Sequence, residues 1–295
     1  MPKYSYSVFG LIIESELECP EFQECQGQPD ISIQIGNVPG ELSEPLYNGV
    51  HFQTNENEFL LKVNDVADYY ITGNKITIQP QANTDLDSVR VFLYGSALAA
   101  LLIQNSIMPL HANALEKDGK GFLIAGVSGA GKSTLTTAFY QKGYNILSDD
   151  VTVLKIEEDR VKALPGIIYP KLWEETFEQI GEDKSGLKKI RPDINKYRFT
   201  RIDRCFNKEH EIKKMFIIDH HNSPEITIKE IKTHKKLVVL LENVFRKRFV
   251  QGEQIKSQQF LHFSGIAAKM ELYNITRPNG INTIKEMTDL IESKL

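Results

Sequence analysis

A glycine-rich stretch, LIAGVSGAGKSTL at residues 123–135, holds residue types that bind phosphate groups. Gly126 is followed by four residues and then by Gly131, Lys132 and Ser133, which is the complete pattern of a phosphate-binding loop. Glycines let backbone amides approach phosphate oxygens, and the N-terminus of the following helix favours negative charge. We expect Lys132 to reach the outer phosphates and the Ser133 hydroxyl to bind Mg²⁺.

The flanking segments predict the strand, loop and helix order that this pattern requires. KGFLIAG is a short apolar run that is typical of a buried strand, and GKSTLTTAFYQKG is typical of a helix that ends at Gly143. The ligand is therefore expected to carry phosphates. The motif leaves open whether the terminal phosphoryl group is hydrolysed to drive a motion or transferred to an acceptor.

Two adjacent carboxylates, Asp149 and Asp150, follow the next predicted strand in NILSDD. Ligands of open α/β sheets bind at the carboxyl ends of strands, so this pair should face the glycine-rich loop. A carboxylate there can hold Mg²⁺ or accept a proton from a nucleophile. Because side chains alternate along a strand, the two would point in different directions unless the strand has ended. A solvated turn or a helix cap is the structural alternative.

His111, in PLHANAL, lies on the strand before the one that leads into the glycine-rich loop. Its side chain could reach the phosphates from the side, and Asn113 shares the same face two residues later. A core histidine bonded to the backbone is the alternative. Among the other histidines, His220 and His221 lie at a strand end, but the sequence offers no third metal ligand beside them.

A polar and mostly basic segment at 184–204 shows little periodicity, and we expect it to be exposed. One or two of its cations could close over the phosphates or bind an acidic substrate, because a cation beside the transferred group stabilises its transition state. Arg246 is a further candidate, and the sequence does not choose among them. The candidates within the segment are Lys188, Lys189, Arg191, Lys196, Arg198, Arg201 and Arg204.

Residues 1–82 predict a small, antiparallel, β-rich N-terminal domain. Runs of β-branched and aromatic residues alternate there with turn-forming residues; the runs are YSYSVFGLII, ISIQI, EFLLKV, DYYIT and KITIQP. Thr84 or Asp85 can cap the helix that follows. The most apolar stretch of that helix, 93–103, is shorter than a membrane span, and we expect it to be a buried helix.

Residues 83–295 predict an α/β domain. Two strands joined by KDGK lead into the glycine-rich loop, and YNILSDD and VTVLKI are typical of two more strands. Beyond the basic segment we expect strands at KMFIID, EITIKEI and LYNITRP. Helices are predicted near 234–246 and 257–270 and at NTIKEMTDLIESKL.

Composition excludes several classes of function. The net charge of −4 gives no general attraction to nucleic acid. No apolar run reaches the length of a membrane span, and the start is unlike a signal peptide. The cysteines Cys19, Cys25 and Cys205 form no closely spaced ligand pair, which fits a reduced compartment. We therefore expect a cytoplasmic protein with no nucleic-acid or membrane partner.

Taken together, LHANAL, GKGFLIAGVSGAGKSTLTTAFYQKGYNILSDDVTVL and the segments around them resemble the core of the HPr kinase/phosphorylase superfamily. In that superfamily a histidine-bearing strand precedes the phosphate-binding loop and an Asp-Asp pair follows it, an arrangement shared with phosphoenolpyruvate carboxykinases. LPGIIYPKLW and the N-terminal YSYSVFGLIIESELECPEF are more similar to the HPr-kinase-like proteins of lasso-peptide gene clusters. The resemblance is specific over about 105–175. It implies a phosphate-loop core of this type, with rearranged strand order, beside the β-rich N-terminal domain.

The resemblance also implies residue roles. His111 would line the site, one of Asp149 and Asp150 would be the base, and the other would serve the metal. We expect Ser133 and Asp150 as the metal ligands, with the two aspartate roles exchangeable. Lys132 would act on the phosphates. The implied phosphate-binding set is Gly126, Ser128, Gly129, Ala130, Gly131, Lys132, Ser133 and Thr134, with ATP and Mg²⁺ as the cofactors.

The leading hypothesis is a kinase that moves the γ-phosphoryl group of ATP to a serine-type hydroxyl of a peptide or small protein, such as the C-terminal serine of a lasso precursor. The glycine-rich signature that follows the Asp pair in HPr kinases is not matched by ALPGIIYPKLW, so HPr itself is not the expected acceptor. The alternatives are a nucleotide-hydrolysing switch or assembly protein and a kinase of a small molecule such as free serine. The sequence leaves the nucleotide identity open, and also whether the chain forms a homo-oligomer.

Overall fold

A computed structural model describes residues 3–189, 195–199 and 208–295. The predicted candidates Arg191, Arg201 and Arg204, and also Cys205, lie outside these residues. The chain divides into two compact units, Met1–Pro109 with Phe245–His262 and Leu110–Val244 with Phe263–Leu295. The sequence predicted two independently folding domains that meet between residues 82 and 83. The compact units do not test independent folding, so this boundary stays a prediction.

The first unit contains a nine-stranded sheet in the order β3-β1-β2-β4-β9-β8-β7-β6-β5. Alternating burial along its strands places one set of side chains in the core, as in Ala67–Thr72, where every second residue is buried. The strands are Tyr4–Val8 (β1), Leu11–Ser15 (β2), Gln23–Glu24 (β3), Ile31–Ile35 (β4), Tyr47–Asn48 (β5), Phe52–Thr54 (β6), Glu58–Val63 (β7), Ala67–Thr72 (β8) and Lys75–Pro80 (β9).

Two details of this sheet differ from the sequence-based expectation. The sheet is mixed, because β2 pairs with β4 and β4 pairs with β9 in parallel; only a hairpin turn enforces antiparallel pairing, and longer connections separate these strands. The run YSYSVFGLII is a hairpin of two strands rather than one strand. Its two turn residues, Phe9 and Gly10, have φ values of 54° and 76°, as a two-residue hairpin turn requires.

The apolar helix of the first unit begins after Asp85, whose Oδ1 accepts a hydrogen bond from the Ser88 amide at 2.8 Å. It consists of Leu86–Phe92 (α1), a π-helical segment Leu93–Ala97 and Leu98–Gln104 (α2). Its continuous length of 19 residues and its composition are sufficient to cross a membrane, which corrects the expectation that no apolar run is long enough. Residues 98–103 are all buried within the protein, and buried core helices have the same length and composition.

The second unit contains the sheet that carries the predicted chemistry, in the order β10-β14-β15-β18-β12-β11-β13 with β20 beside β18 and β19 beside β20. β12, β18 and β20 run in parallel, whereas β11 is antiparallel to both β12 and β13. The strands are Pro109–Leu110 (β10), Ala112–Lys117 (β11), Lys120–Gly126 (β12), Asn145–Ser148 (β13), Thr152–Glu157 (β14), Arg160–Ala163 (β15), Lys171–Trp173 (β16), Lys196–Arg198 (β17), His210–His221 (β18), Thr227–Ile231 (β19) and Glu271–Pro278 (β20).

The described residues of the second unit include the helices Lys132–Gln141 (α3), Glu174–Ile180 (α4), His234–Glu242 (α5) and Ile284–Glu292 (α7). Glu253–Lys269 (α6) begins in the first unit, to which residues up to His262 belong, and ends in the second. α3 ends before Gly143, whose φ of 91° suits a glycine after a helix. The core around α3 includes Phe122, Phe139 and Phe216. The predicted mixed α/β class and most predicted elements of this region are confirmed.

The main differences from the sequence-based prediction are β16 and α4, which were not predicted, and β17, which lies within the segment at 184–204 that was expected to be exposed with little periodicity. β16 and β17 pair as a two-stranded antiparallel sheet. Leu172, Phe177 and Phe199 form a buried cluster beneath this sheet. The partner strands are more than twenty residues apart in a polar sequence, so local patterns gave no signal of the pairing.

Candidate active site

The glycine-rich loop connects β12 to α3, as the sequence predicted. Gly126, Gly129 and Gly131 have φ values of 140°, 87° and 102°, in the region that favours glycine. A Cβ atom at Gly126 would lie 2.5 Å from the backbone oxygen of Ile218 on β18. Glycine at 126 is thus required both by the backbone conformation and by the close approach of the neighbouring strand.

The side chain of Lys132 lies back across this loop. Its Nζ donates hydrogen bonds to the backbone oxygens of Gly126 at 2.8 Å and Val127 at 3.3 Å. The residue is only 7% exposed. Burial lowers the pKa of Lys132, although the charges of Asp150 and Asp149 act in the opposite direction.

His111 connects Lys132 to the aspartate pair. Lys132 Nζ lies 2.9 Å from His111 Nε2, and His111 Nδ1 lies 3.1 Å from both Oδ1 and the backbone oxygen of Asp150. Because a lysine ammonium can only donate, Nε2 accepts and Nδ1 carries the proton. The contacts therefore assign a neutral imidazole that donates to Asp150, in a continuous chain from the loop lysine to a carboxylate.

The aspartates follow the last residue of β13, Ser148, so the rule of alternating side chains no longer applies to them. Asp150 has a φ of 67°, and the Val151 amide donates to the Asp149 backbone oxygen at 2.7 Å. This γ-turn is a strained conformation for a residue other than glycine. Asn113 stabilises it, because Asn113 Oδ1 accepts the Asp150 amide at 2.8 Å.

Asn113 also connects the turn to the helix. Its Nδ2 donates to Thr136 Oγ1 on α3 at 2.8 Å, and the side chain is buried. Asn113 and His111 therefore act from one face of the same stretch of chain, as predicted, one holding the backbone of Asp150 and the other its carboxylate.

The environments of the two carboxyl groups shift their pKa values in opposite directions. Burial, reinforced by the charge of Asp150, raises the pKa of Asp149 to about 6 despite the nearby charges of Lys171, Lys196 and Lys132. Burial would also raise the pKa of Asp150, but the hydrogen bond from His111 and the charge of Lys171 outweigh it and hold that pKa well below its usual range. Asp150 is therefore the firmly ionised member of the pair.

The donor set is compatible with Mg²⁺. Oδ1 of Asp149 is buried and accepts no hydrogen bond from any described residue, so a small cation or its bound water would satisfy it. A carboxylate together with the Ser133 hydroxyl, at the start of α3, offers the hard oxygen ligands that Mg²⁺ prefers, with phosphate oxygens completing the set. Within residues 3–189, 195–199 and 208–295, no three His, Cys, Asp or Glu residues form an all-protein metal site.

The remaining predicted loop residues occupy the same turn. Ser128 and Gly129 are exposed at its tip, and Ala130 is buried. Thr134 Oγ1 lies 3.4 Å from Thr176 Oγ1 on α4. Arg246, in contrast, belongs to the first compact unit, where its guanidinium lies 5.5 Å from the ring centre of Phe245.

Two cations beside the aspartates complete the cluster. Lys171 Nζ, on β16, lies 3.7 Å from Asp150 Oδ2. Lys196, on β17, interacts electrostatically with both Asp149 and Asp150; burial, helped by the charge of Lys171, lowers the pKa of Lys196. Lys196 was among the sequence candidates, whereas Lys171 was missed. The chain before β16 is held beside the aspartates by hydrogen bonds from the Asp149 amide to the Ile167 oxygen and from the Gly166 amide to the Leu147 oxygen, and no local pattern signals this pairing.

Arg277 is a second residue that the sequence prediction missed. It lies near the end of β20, its guanidinium carbon would be 4.0 Å from a Cβ atom at Gly131, and its Nη1 donates to Thr283 Oγ1 at 3.3 Å. The parallel strands β12, β18 and β20 end at the same edge, so the position of arginine in LYNITRP was the available signal. A pocket beside it is lined by Ala130, Gly131, Thr134, Leu135, Arg277, Ile284 and Met287.

No protein-family model matches the sequence, and no curated protein matches it. Among solved structures, the chain is similar to the Hpr(Ser) kinase/phosphatase from Coxiella burnetii, with 16% identity and a TM-score of 0.33. The match covers 63% of this chain and 89% of that chain.

Proposed function

We propose that this protein is an ATP-dependent kinase that transfers the γ-phosphoryl group to a serine-type hydroxyl of a peptide or small protein. The main support for this proposal is the chain of contacts from Lys132 through His111 to Asp150. Hydrogen bonds thereby join Lys132, which we propose binds the nucleotide phosphates, to the ionised carboxylate of Asp150. A kinase needs both, the first for the nucleotide phosphates and the second for the acceptor hydroxyl.

The two aspartates differ in exposure, and this difference suggests which is the base and which serves the metal. The roles are the reverse of those expected from the sequence, where Asp150 was the metal ligand. The Asp150 side chain is 38% exposed, so an acceptor hydroxyl can approach it. Asp149 is only 6% exposed, and its unsatisfied oxygen suits a small cation better than a peptide hydroxyl. We therefore assign Asp150 as the base and Asp149, with Ser133, to Mg²⁺. When bound, Mg²⁺ would neutralise phosphate charge.

In the proposed step, the acceptor oxygen forms a bond to the γ-phosphorus while the bond from that phosphorus to the β,γ-bridging oxygen breaks. The bonding electrons leave with ADP, and the hydroxyl proton passes to the carboxylate of Asp150. His111, as the neutral Nδ1–H form, orients this carboxylate by donating to it. The loop amides and Lys132 face the phosphate charge that shifts toward ADP as the bond breaks.

A switch that only hydrolyses nucleotide is the main alternative, and the orientation of Asp150 favours the kinase. His111, Asn113 and the strained turn together hold one partly exposed carboxylate in a fixed position, which a hydroxyl acceptor requires. A peptide ending in serine, a small protein and free serine offer the same hydroxyl chemistry.

The test is ADP release measured with Mg²⁺ and ATP, first without an acceptor and then with a peptide that ends in serine, with the same peptide ending in alanine, and with free serine. A kinase should release ADP in proportion to phosphate found on the serine peptide. Turnover that is equal with and without any acceptor would support a hydrolysing switch instead. Stimulation by free serine to the same extent as by the peptide would move the proposal to a small-molecule kinase.

A further inference from the structure

The two-stranded sheet of β16 and β17 has two chemically different faces. Lys171 pairs with Arg198, and Trp173 pairs with Lys196. These four residues share one face, because partners in an antiparallel pair and every second residue along a strand lie on the same side. The intervening pair, Leu172 and Tyr197, packs on the apolar side against the buried cluster. We call the first side the cationic face, formed by Lys171, Trp173, Lys196 and Arg198.

Aromatic rings hold the cations of this face in place. Lys171 Nζ and the Arg198 guanidinium lie 5.3 Å and 4.8 Å from the ring centre of Tyr169, and Lys196 Nζ lies 5.3 Å from the ring centre of Trp173. Such contacts favour particular positions of otherwise mobile side chains. The cations are thus arranged in advance and not spread freely in solvent.

The cationic face is directed at the aspartates. Lys171 is within 3.7 Å of Asp150, and the charge of Lys196 acts on both carboxylates. Lys132 also interacts electrostatically with both carboxylates, so three lysines act on two aspartates, and one positive charge is in excess when all five groups are ionised and His111 is neutral. An excess of positive charge beside the proposed base is what an incoming anion would neutralise.

We propose that Lys171 and Lys196 bind the terminal phosphoryl group of the nucleotide and stabilise it during transfer. This inference rests on the proposed function and answers which cations contact the transferred group. The loop and Lys132 approach the nucleotide phosphates from the α3 side, whereas the cationic face lies beside Asp150, where the acceptor would meet the phosphorus. Positive charge on the acceptor side offsets the charge of the transferred oxygens.

The test compares the affinities of ADP and of a non-hydrolysable ATP analogue, both with Mg²⁺, by calorimetry. Lys171→Gln and Lys196→Gln should each weaken binding of the analogue by roughly tenfold, the value of one charge-assisted hydrogen bond, while ADP affinity changes little. Lys171→Arg and Lys196→Arg keep the charge and should retain most of the preference for the analogue. They also show whether loss of folding explains the glutamine variants.

Lys184→Gln is the matched control. Lys184 pairs with Glu174 and lies 5.9 Å from the ring centre of Tyr197, which belongs to the opposite side of the sheet. Its removal should leave both affinities as in the wild type. A control variant that lost analogue affinity as strongly as Lys171→Gln would overturn the inference, because general positive charge would then explain the effect.

The remaining outcomes separate this inference from the proposed function. Equal weakening of ADP and analogue by the glutamine variants would overturn the inference, since the lysines would then act on inner phosphates or on folding, and the kinase proposal would stand. Unchanged affinities would overturn it as well. A wild-type protein that binds neither nucleotide would overturn both proposals together.

Discussion

The glycine-rich loop and the cationic face both lie beside Asp149 and Asp150, but the sequence positions their residues in different ways. The loop region, from His111 to Asp150, is continuous in sequence and made of short strands and one helix with strong local signals. The cationic face is assembled from two three-residue strands in a polar stretch, and it depends on the pairing of β16 with β17. Functional residues that lie in one continuous segment can be found from the sequence. Functional residues that are brought together by the pairing of distant strands cannot.

The largest expected effect comes from a change in the glycine-rich loop, and its pattern of nucleotide affinities should differ from that of changes in the cationic face. Lys132→Met should reduce phosphoryl transfer by about 10²–10³-fold or more, because a donor to the phosphates is lost, and it should weaken ADP and the ATP analogue alike. Rates and affinities would be measured together with thermal unfolding, since Lys132 also holds the Gly126 and Val127 oxygens. A folded variant with unchanged turnover would remove the loop from the mechanism.

The base assignment gives the next largest effect. Asp150→Asn should lower kcat by roughly 10²–10⁴-fold, the usual contribution of a general base, while affinity for Mg²⁺-nucleotide is kept. Asp149→Asn should instead weaken Mg²⁺-dependent nucleotide binding. Titration of Mg²⁺ at fixed nucleotide distinguishes the two. If Asp150→Asn loses the Mg²⁺ dependence and Asp149→Asn keeps it, the roles are those first expected from the sequence.

The same two variants should change the stability of the ligand-free protein in opposite directions. The pKa of Asp149 is raised from 3.8 to about 6, so stability from its protonated form is present below about pH 4 and is lost as the pH rises through about 6. Asp149→Asn should therefore be more stable than the wild type at pH 7.5, by on the order of 2–3 kcal/mol.

Asp150→Asn should be less stable than the wild type at neutral pH. The lowered pKa of Asp150 means that the ionised carboxylate stabilises the fold above its unfolded pKa, and that this contribution is lost as the pH falls. Denaturant unfolding at pH 5 and pH 7.5 tests both variants. Two variants that change stability in the same direction at pH 7.5 would contradict the opposed environments of the pair.

A smaller effect concerns the turn at Asp150. Asn113→Ala removes the acceptor of the Asp150 amide, so it should lower kcat by about tenfold with little change in nucleotide affinity; a buried unsatisfied donor costs roughly 1–3 kcal/mol. Thr136→Val is the control, because it removes the other partner of Asn113 and leaves the Asp150 contact. Equal losses of kcat in both variants would indicate a general packing effect.

The smallest effect concerns Lys188 and Lys189, which the sequence offered as candidates. Both are exposed, and Lys189 contacts Asn195 and the ring of Tyr197 on the apolar side of the sheet. The double change to glutamine should raise the Michaelis constant of an acidic peptide acceptor by no more than a few fold, and should leave nucleotide affinity unchanged. Loss of nucleotide affinity would place these lysines at the phosphates. It would also weaken the contrast between the cationic face and the apolar side of the β16–β17 sheet.

The sequence by itself determined the strand, loop and helix around Lys132, the position of the aspartates after a strand, and the shared face of His111 and Asn113. These follow from local rules, namely glycine conformation, the period of apolar residues and the alternation of side chains. It also indicated that residues 1–82 are β-rich, although the parallel pairing of β4 with its neighbours was not foreseen.

Only the tertiary structure decided which residues meet at the site. The contact of Lys171 with Asp150 depends on backbone bonds of Gly166 and Ile167 to the end of β13. The approach of Arg277 to Gly131 depends on parallel strands far apart in sequence. The opposed pKa shifts of Asp149 and Asp150 also arise there. They depend on burial and on charges from other elements, and two identical neighbouring residues in a sequence carry no information about either.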